Sequence, residues 1–125
     1  RRLGVDFGIV NSLDGYDEIS LTGDFKVMTN SYERVFRPAD IGFSTAMQAN
    51  LCGGNTVGEA KEIFDSVLEN RALADRKNAV LANAAFGIQV VDGALTIEEA
   101  LAAARESLES GRALAAFRKF VEINS

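Results

Sequence analysis

Asp17 and Glu18 are adjacent acids placed between Gly15-Tyr16 and Ile19. In an extended segment neighbouring side chains point to opposite faces, so the two carboxylates can share one ion only where the backbone turns. Gly15 permits such a turn. A carboxylate pair suits Mg²⁺, a hard ion that takes oxygen ligands and keeps several waters. The spacing is also that of two solvated turn residues, and spacing alone favours that plainer reading.

Other candidates are few. The chain has no histidine and one cysteine, Cys52. Zinc sites built from Cys and His are excluded, as are Ser-His-Asp and Cys-His catalysis within these residues. A metal here would be a hard, oxygen-bound ion such as Mg²⁺ or Ca²⁺. Cys52 reads as a small buried residue rather than a reactive thiol. It cannot form an internal disulfide, which points to a reducing cytoplasm. Gly53-Gly54-Asn55 reads as a tight turn into a helix, with anion binding through N–H groups as the alternative. Asn78 and Asn83 are read as bonding to neighbouring backbone rather than to substrate. Asp6-Phe7-Gly8 spells the kinase metal triplet without its companion loops, so Phe7 is read as strand core.

Composition narrows the class further. Hydrophobic residues make up 47% of the 125, enough for one domain with a core. Lys and Arg number 13 against 18 Asp and Glu, for a net charge of −5. That balance, with basic residues scattered apart from the Arg112 to Lys119 cluster, argues against a nucleic-acid partner. No apolar run approaches the ~20 residues that span a bilayer, so no membrane partner is expected. The sequence opens on Arg1 without an apolar leader and is expected to begin inside a longer product.

The elements that must position the acids follow from periodicity. Val5 to Asn11 suits a buried strand, ending in the turn Ser12-Leu13-Asp14-Gly15. Glu18 to Leu21 is expected as a short strand. Phe25 to Thr29 and Tyr32 to Arg37 read as a hairpin about Asn30-Ser31, and Pro38 ends its second arm. Thr56 and Glu59 form a capping-box pattern ahead of a helix with Val57, Ala60, Phe64, Val67 and Leu68 on one face. A second helix, about Asp75 to Val91, is apolar over a wide arc through Val80, Leu81, Ala84, Ala85, Ile88 and Val91, and should be deeply packed. Thr96 and Glu99 cap a third helix that stops near Ser110-Gly111. A fourth, about Arg112 to Ile123, uses Leu114, Phe117 and Val121. The expected fold is therefore part of an α/β domain: a partial mixed sheet of one strand plus a hairpin, packed by about four C-terminal helices. Strands are few for so many helices, so the sheet is expected to be completed by strands before Arg1.

The run from Val10 to Gly23 resembles a motif of anthranilate phosphoribosyltransferase, in which a strand leads to Gly-Leu-Asp-Glu, an aliphatic residue, Ser and a later Gly. Further matches follow in order. Pro38, Asp40 and Gly42 resemble a Pro-Glu-Asp-Phe-Gly turn, and Leu51, Gly53 and Gly54 a Leu-x-Gly-Gly loop. Arg76 to Ala85 resembles an Arg-Asp-Ala-Val-Leu-Leu-Asn-Ala-Ala helix, and Ser110 to Ala113 a closing Ser-Gly-Lys-Ala. The family's His after the strand is Asn11 here, and its Leu before Asp-Glu is Tyr16.

The resemblance implies a piece of a nucleoside phosphorylase/phosphoribosyltransferase-like catalytic domain, with residues 1–125 as its C-terminal portion. It implies a parent enzyme that moves the phosphoribosyl group of phosphoribosyl pyrophosphate to anthranilate in tryptophan biosynthesis, with Asp17 and Glu18 as ligands of Mg²⁺. It also implies a homodimeric parent. The family's Gly-Thr-Gly-Gly-Asp phosphate loop, its Asn-x-Ser-Thr and Lys-His-Gly-Asn segments and its small helical domain are not in this sequence, so the chain alone is expected to be inactive. Two alternatives fit less well. A pyrimidine nucleoside phosphorylase-like transferase has no pyrophosphate for an acidic pair to clamp through Mg²⁺. A non-catalytic, nucleic-acid-binding relative is disfavoured by the net charge.

Overall fold

A computed structural model describes residues 7–15, 18–51 and 56–123. The hairpin forms where β-branched and aromatic residues cluster on both sides of a polar turn. Its arms are β2, Phe25–Thr29, and β3, Glu33–Phe36, with Phe25 opposite Phe36 and Met28 opposite Glu33. The Thr29 N–H donates to the Tyr32 carbonyl at 2.8 Å, closing the turn over Asn30 and Ser31. Strand β1, Gly8–Ser12, lies along the other side of β2, with Gly8 opposite Thr29 and Ser12 opposite Phe25.

All three described strands are antiparallel, in the order β1-β2-β3, rather than mixed. No helix separates β1, β2 and β3, and a parallel pairing needs a crossover connection. Two further expectations change. The first strand is half-exposed rather than buried: Ile9 is 58% exposed, Val10 half-buried, and only Ser12 is buried. An edge strand covered on one face turns alternate residues to solvent. Its covered face sits so close to the second helix that a Cβ on Gly8 would lie 2.6 Å from Val90 Cγ2. Glu18 to Leu21, second, is irregular, bending at Glu18 and Leu21, and is not a strand.

Pro38 does end β3. Short 3₁₀ turns follow at Pro38–Ile41 and Gln48–Leu51. Four helices complete the described chain: α1 Val57–Leu68, α2 Ala74–Val91, α3 Ile97–Glu109 and α4 Arg112–Ile123. Thr56 caps α1, accepting from the Glu59 N–H at 3.0 Å. Thr96 and Glu99 complete a reciprocal box on α3, at 3.1 and 2.9 Å. Gly111 takes φ +86°, so the chain turns from α3 into α4 across two residues.

The core is built on rings. Phe25, Phe36 and Phe86 meet with centroids 5.2 to 5.9 Å apart, two contacts edge-on and one stacked. Helix α2 is the spine: Leu81, Ala82, Ala85 and Phe86 are buried between the sheet and α3. Its remaining arc is not deeply packed, with Val80 44% and Val91 84% exposed. Val80, Ala84 and Ile88 instead line an apolar groove of about 380 Å³ with Phe64 of α1 and Leu108 of α3. The anticipated α1 face is covered only in part: Val67 is buried and Leu68 half-buried, while Val57 and Ala60 are exposed. Phe64 stacks edge-on against Phe117 of α4 at 4.9 Å. No residue of α4 is buried, and Val121 stays exposed.

Candidate active-site segment

The loop from Leu13 to Asp24 joins β1 to β2 and carries the acidic pair. It is tied at its base, where the Leu13 N–H donates to the Asp24 carbonyl at 2.9 Å. Gly15 turns the chain with φ +107°, the conformational freedom its position in the sequence promised. Tyr16 and Asp17 lie outside the described residues, as do Cys52 and the Gly53-Gly54-Asn55 loop. Of the pair, the structure therefore places Glu18, which is exposed.

Glu18 leads directly into buried backbone. Ile19, Ser20 and Leu21 are 0%, 3% and 0% exposed. Buried peptide groups need partners, and among the described residues no strand supplies them here. Side chains do so instead. Ser12 Oγ donates to the Glu18 carbonyl at 2.7 Å and accepts from the Ser20 N–H at 3.1 Å. Asn83 of α2 accepts from the Ile19 N–H through Oδ1 at 3.0 Å and donates to the Ile19 carbonyl through Nδ2 at 2.8 Å. Two consecutive peptide units, 18–19 and 19–20, are thus each held by Ser12 on one side and Asn83 on the other. This is the physical reason Glu18 to Leu21 is not a strand: its ladder positions are already taken.

A chain of hydroxyls extends the fastening. Ser20 Oγ lies 3.0 Å from Ser12 Oγ and 2.7 Å from Thr22 Oγ1, and Thr22 Oγ1 donates to the Asp14 carboxylate. The Ser12 proton goes to Glu18 and the Thr22 proton to Asp14, leaving the Ser20 proton shared between its two neighbours. Leu21 then reverses the chain at φ +64°, a conformation costing a branched residue roughly 1–2 kcal/mol. Full burial of its side chain and a 2.7 Å bond from the Ala46 N–H to its carbonyl offset that cost.

Beside this segment opens a pocket of about 360 Å³, lined by Glu18, Ile19, Ser20, Leu51, Arg76 and Asn83 among others. Its rim offers the Glu18 carboxylate, an oxygen donor of the kind a hard divalent ion takes, on a lining that also carries Arg76; the Ser20 hydroxyl and the Asn83 amide oxygen are already bonded within the segment. Among the described residues no three His, Cys, Asp or Glu side chains gather into a metal site. Asp75, at the start of α2, sits apart. Its carboxylate is held below the usual range, first by Asn50 Nδ2 and then by the Met47 N–H, both at 2.9 Å.

The sequence reading had Asn83 bonding to backbone, which it does. It missed that one of the partners is 64 residues away, and it missed Ser12 altogether. The available signal was the pair of small hydroxyl residues, Ser12 and Ser20, bracketing the acids.

Residues 2–114 match the family model described as glycosyl transferase family, a/b domain. The chain belongs to that family. Among members of this glycosyl transferase family, the chain is 57% identical over 125 residues to a protein named anthranilate phosphoribosyltransferase from Phocaeicola vulgatus, covering 100% of this chain and 38% of that one. A protein of the same name from Bacteroides thetaiotaomicron is 52% identical over 119 residues, or 95% of this chain and 36% of its own length. The chain thus spans a little over a third of these relatives. The anthranilate phosphoribosyltransferase of Thermus thermophilus superposes with a TM-score of 0.82 at 23% identity, over 97% of this chain and 36% of that one. The enzyme from Saccharomyces cerevisiae, in complex with PRPP and Mg, does so with a TM-score of 0.80 at 21% identity, over 94% and 33%. These two likenesses establish that the glycosyl transferase fold is shared.

Proposed function

We propose that the chain is the C-terminal part of the catalytic α/β domain of an anthranilate phosphoribosyltransferase, with residues 1–125 forming one unit of it. The observation that carries this reading is the 57% identity, across all 125 residues, to a protein of that name. In the reaction, the anthranilate nitrogen forms a bond to the anomeric carbon of phosphoribosyl pyrophosphate and loses a proton. The carbon–oxygen bond to pyrophosphate breaks, giving N-phosphoribosylanthranilate in the service of tryptophan biosynthesis.

Asp17 and Glu18 are the residues we assign to Mg²⁺. The exposed Glu18 carboxylate at the pocket rim fits a role of holding the ion together with its waters and phosphate oxygens. When bound, Mg²⁺ neutralises charge developing on the departing pyrophosphate. The protein's share is positioning: Ser12 and Asn83 keep the Glu18 backbone fixed, so the carboxylate is delivered without reordering a loop. A reducing cytoplasm agrees with the lone Cys52. The chain covers 38% of its relative and is proposed to be inactive alone.

Calorimetric titration of Mg²⁺, with and without pyrophosphate, tests the assignment. Binding that pyrophosphate strengthens, and that the double variant Asp17→Asn/Glu18→Gln loses, is the expected result. No binding by the wild type, or equal binding by the variant, rejects these two residues as ligands.

A further inference from the structure

Asn83 stands in the middle of a helix, where Ala would be the better helix former. Its carboxamide is fully engaged. Nδ2 donates to the Ile19 carbonyl and to the Ala79 carbonyl, each at 2.8 Å, and Oδ1 accepts from the Ile19 N–H at 3.0 Å. The orientation of the amide is fixed by that set, because a flipped group would set its oxygen against two carbonyls. A side-chain carboxamide is chemically a peptide group. Asn83 therefore pairs with residue 19 as one residue of an adjoining strand would, where no strand among the described residues adjoins it.

The geometry points to Asn83 as a positioning residue for the acidic segment: by holding both polar groups of Ile19 it fixes the direction in which Glu18 presents its carboxylate to the pocket. This rests on the proposal that Asp17 and Glu18 are metal ligands. Glu18 is one bond from the clamped peptide, since its own carbonyl belongs to the unit that Ser12 and Asn83 hold from opposite sides. Ser12 alone would leave the Ile19 N–H and carbonyl without their Asn83 partner, and the segment could rotate about its remaining attachments. Groups one step beyond metal ligands that orient them commonly change affinity by 10–100-fold when removed.

The test uses the chain in two variants. Asn83→Ala removes the clamp; Asn83→Asp keeps the size and the oxygen that accepts from Ile19 but loses both donated bonds. Amide hydrogen exchange of Ile19, read by NMR, reports the clamp without any metal. Mn²⁺ affinity, read by electron paramagnetic resonance of the free ion, reports what the clamp does for the acids, and urea denaturation reports global stability. Expected for Asn83→Ala are at least about tenfold faster Ile19 exchange, α2 amides protected as before, and Mn²⁺ binding weakened about tenfold. Asn83→Asp, whose second oxygen would face the Ile19 and Ala79 carbonyls where Nδ2 now donates, should exchange at Ile19 at least as fast as Asn83→Ala, which decides the matter should the alanine variant not fold. Unchanged Ile19 exchange in both variants overturns the clamp. Faster exchange with unchanged Mn²⁺ affinity overturns the positioning role while leaving the metal assignment standing. A wild type that binds no Mn²⁺ overturns the metal assignment, and with it the role of Asn83 towards the metal, whatever the exchange data show.

Discussion

Replacing Ser12 by Ala should cost more than a surface-loop serine would suggest. The hydroxyl is buried, 3% exposed, and serves three partners: the Glu18 carbonyl, the Ser20 N–H and the Ser20 hydroxyl. The Ser20 N–H is buried and would be left unsatisfied, at about 2 kcal/mol. The Glu18 carbonyl, beside an exposed side chain, can turn to water, so only the net value of its bond is lost, about 0.5 kcal/mol. The sum is about 2.5 kcal/mol, a large fraction of a typical domain's stability. With about 2.1 cal/mol/K of unfolding entropy per residue over the 125 residues, this lowers Tm by about 10 °C. Urea and thermal melts of Ser12→Ala, followed by circular dichroism, give the figure directly. A loss under about 0.5 kcal/mol would mean that water replaces the hydroxyl and that the 18–20 segment is not held as described.

Three further outcomes can be checked the same way. Thr96→Ala breaks the reciprocal cap on α3 and should destabilise by about 1 kcal/mol in a urea melt. Gly111→Ala forces a Cβ into the left-handed region at φ +86° and should cost about 1–2 kcal/mol, although open space surrounds the site. Asp75 has its carboxylate held below the ordinary 3.8, so its contribution is present above pH 3.8 and is lost as pH falls through the lowered folded-state value. The wild-type urea midpoint should therefore fall more than that of Asp75→Asn between pH 5 and about pH 3, and parallel curves would refute the linkage.

Local chemistry made much of the fold legible. Asn30-Ser31 between two β-rich runs gave the hairpin, Pro38 its end, and Thr96 with Glu99 the start of α3. These features depend on neighbours within four residues. The misread segment, Glu18 to Leu21, depends on Asn83, 64 residues on, and on a left-handed Leu21, which no propensity favours. Apolar periodicity found α1 and α4 but not how little of each is covered, because a stripe records what a helix can bury and not what lies against it. The acidic pair was visible as a motif; what holds its backbone was not.

The distance between Ile19 and Asn83 along the chain has a consequence for the order of folding. A contact that closes 64 residues carries a large loop-closure entropy, which is repaid only after α2 has formed and docked on the sheet through Phe86. The β-hairpin and the capped α3 can form from local contacts beforehand. The bonds between residue 19 and Asn83 therefore exist only with α2 docked, and an excursion that lifts α2 from the sheet breaks them.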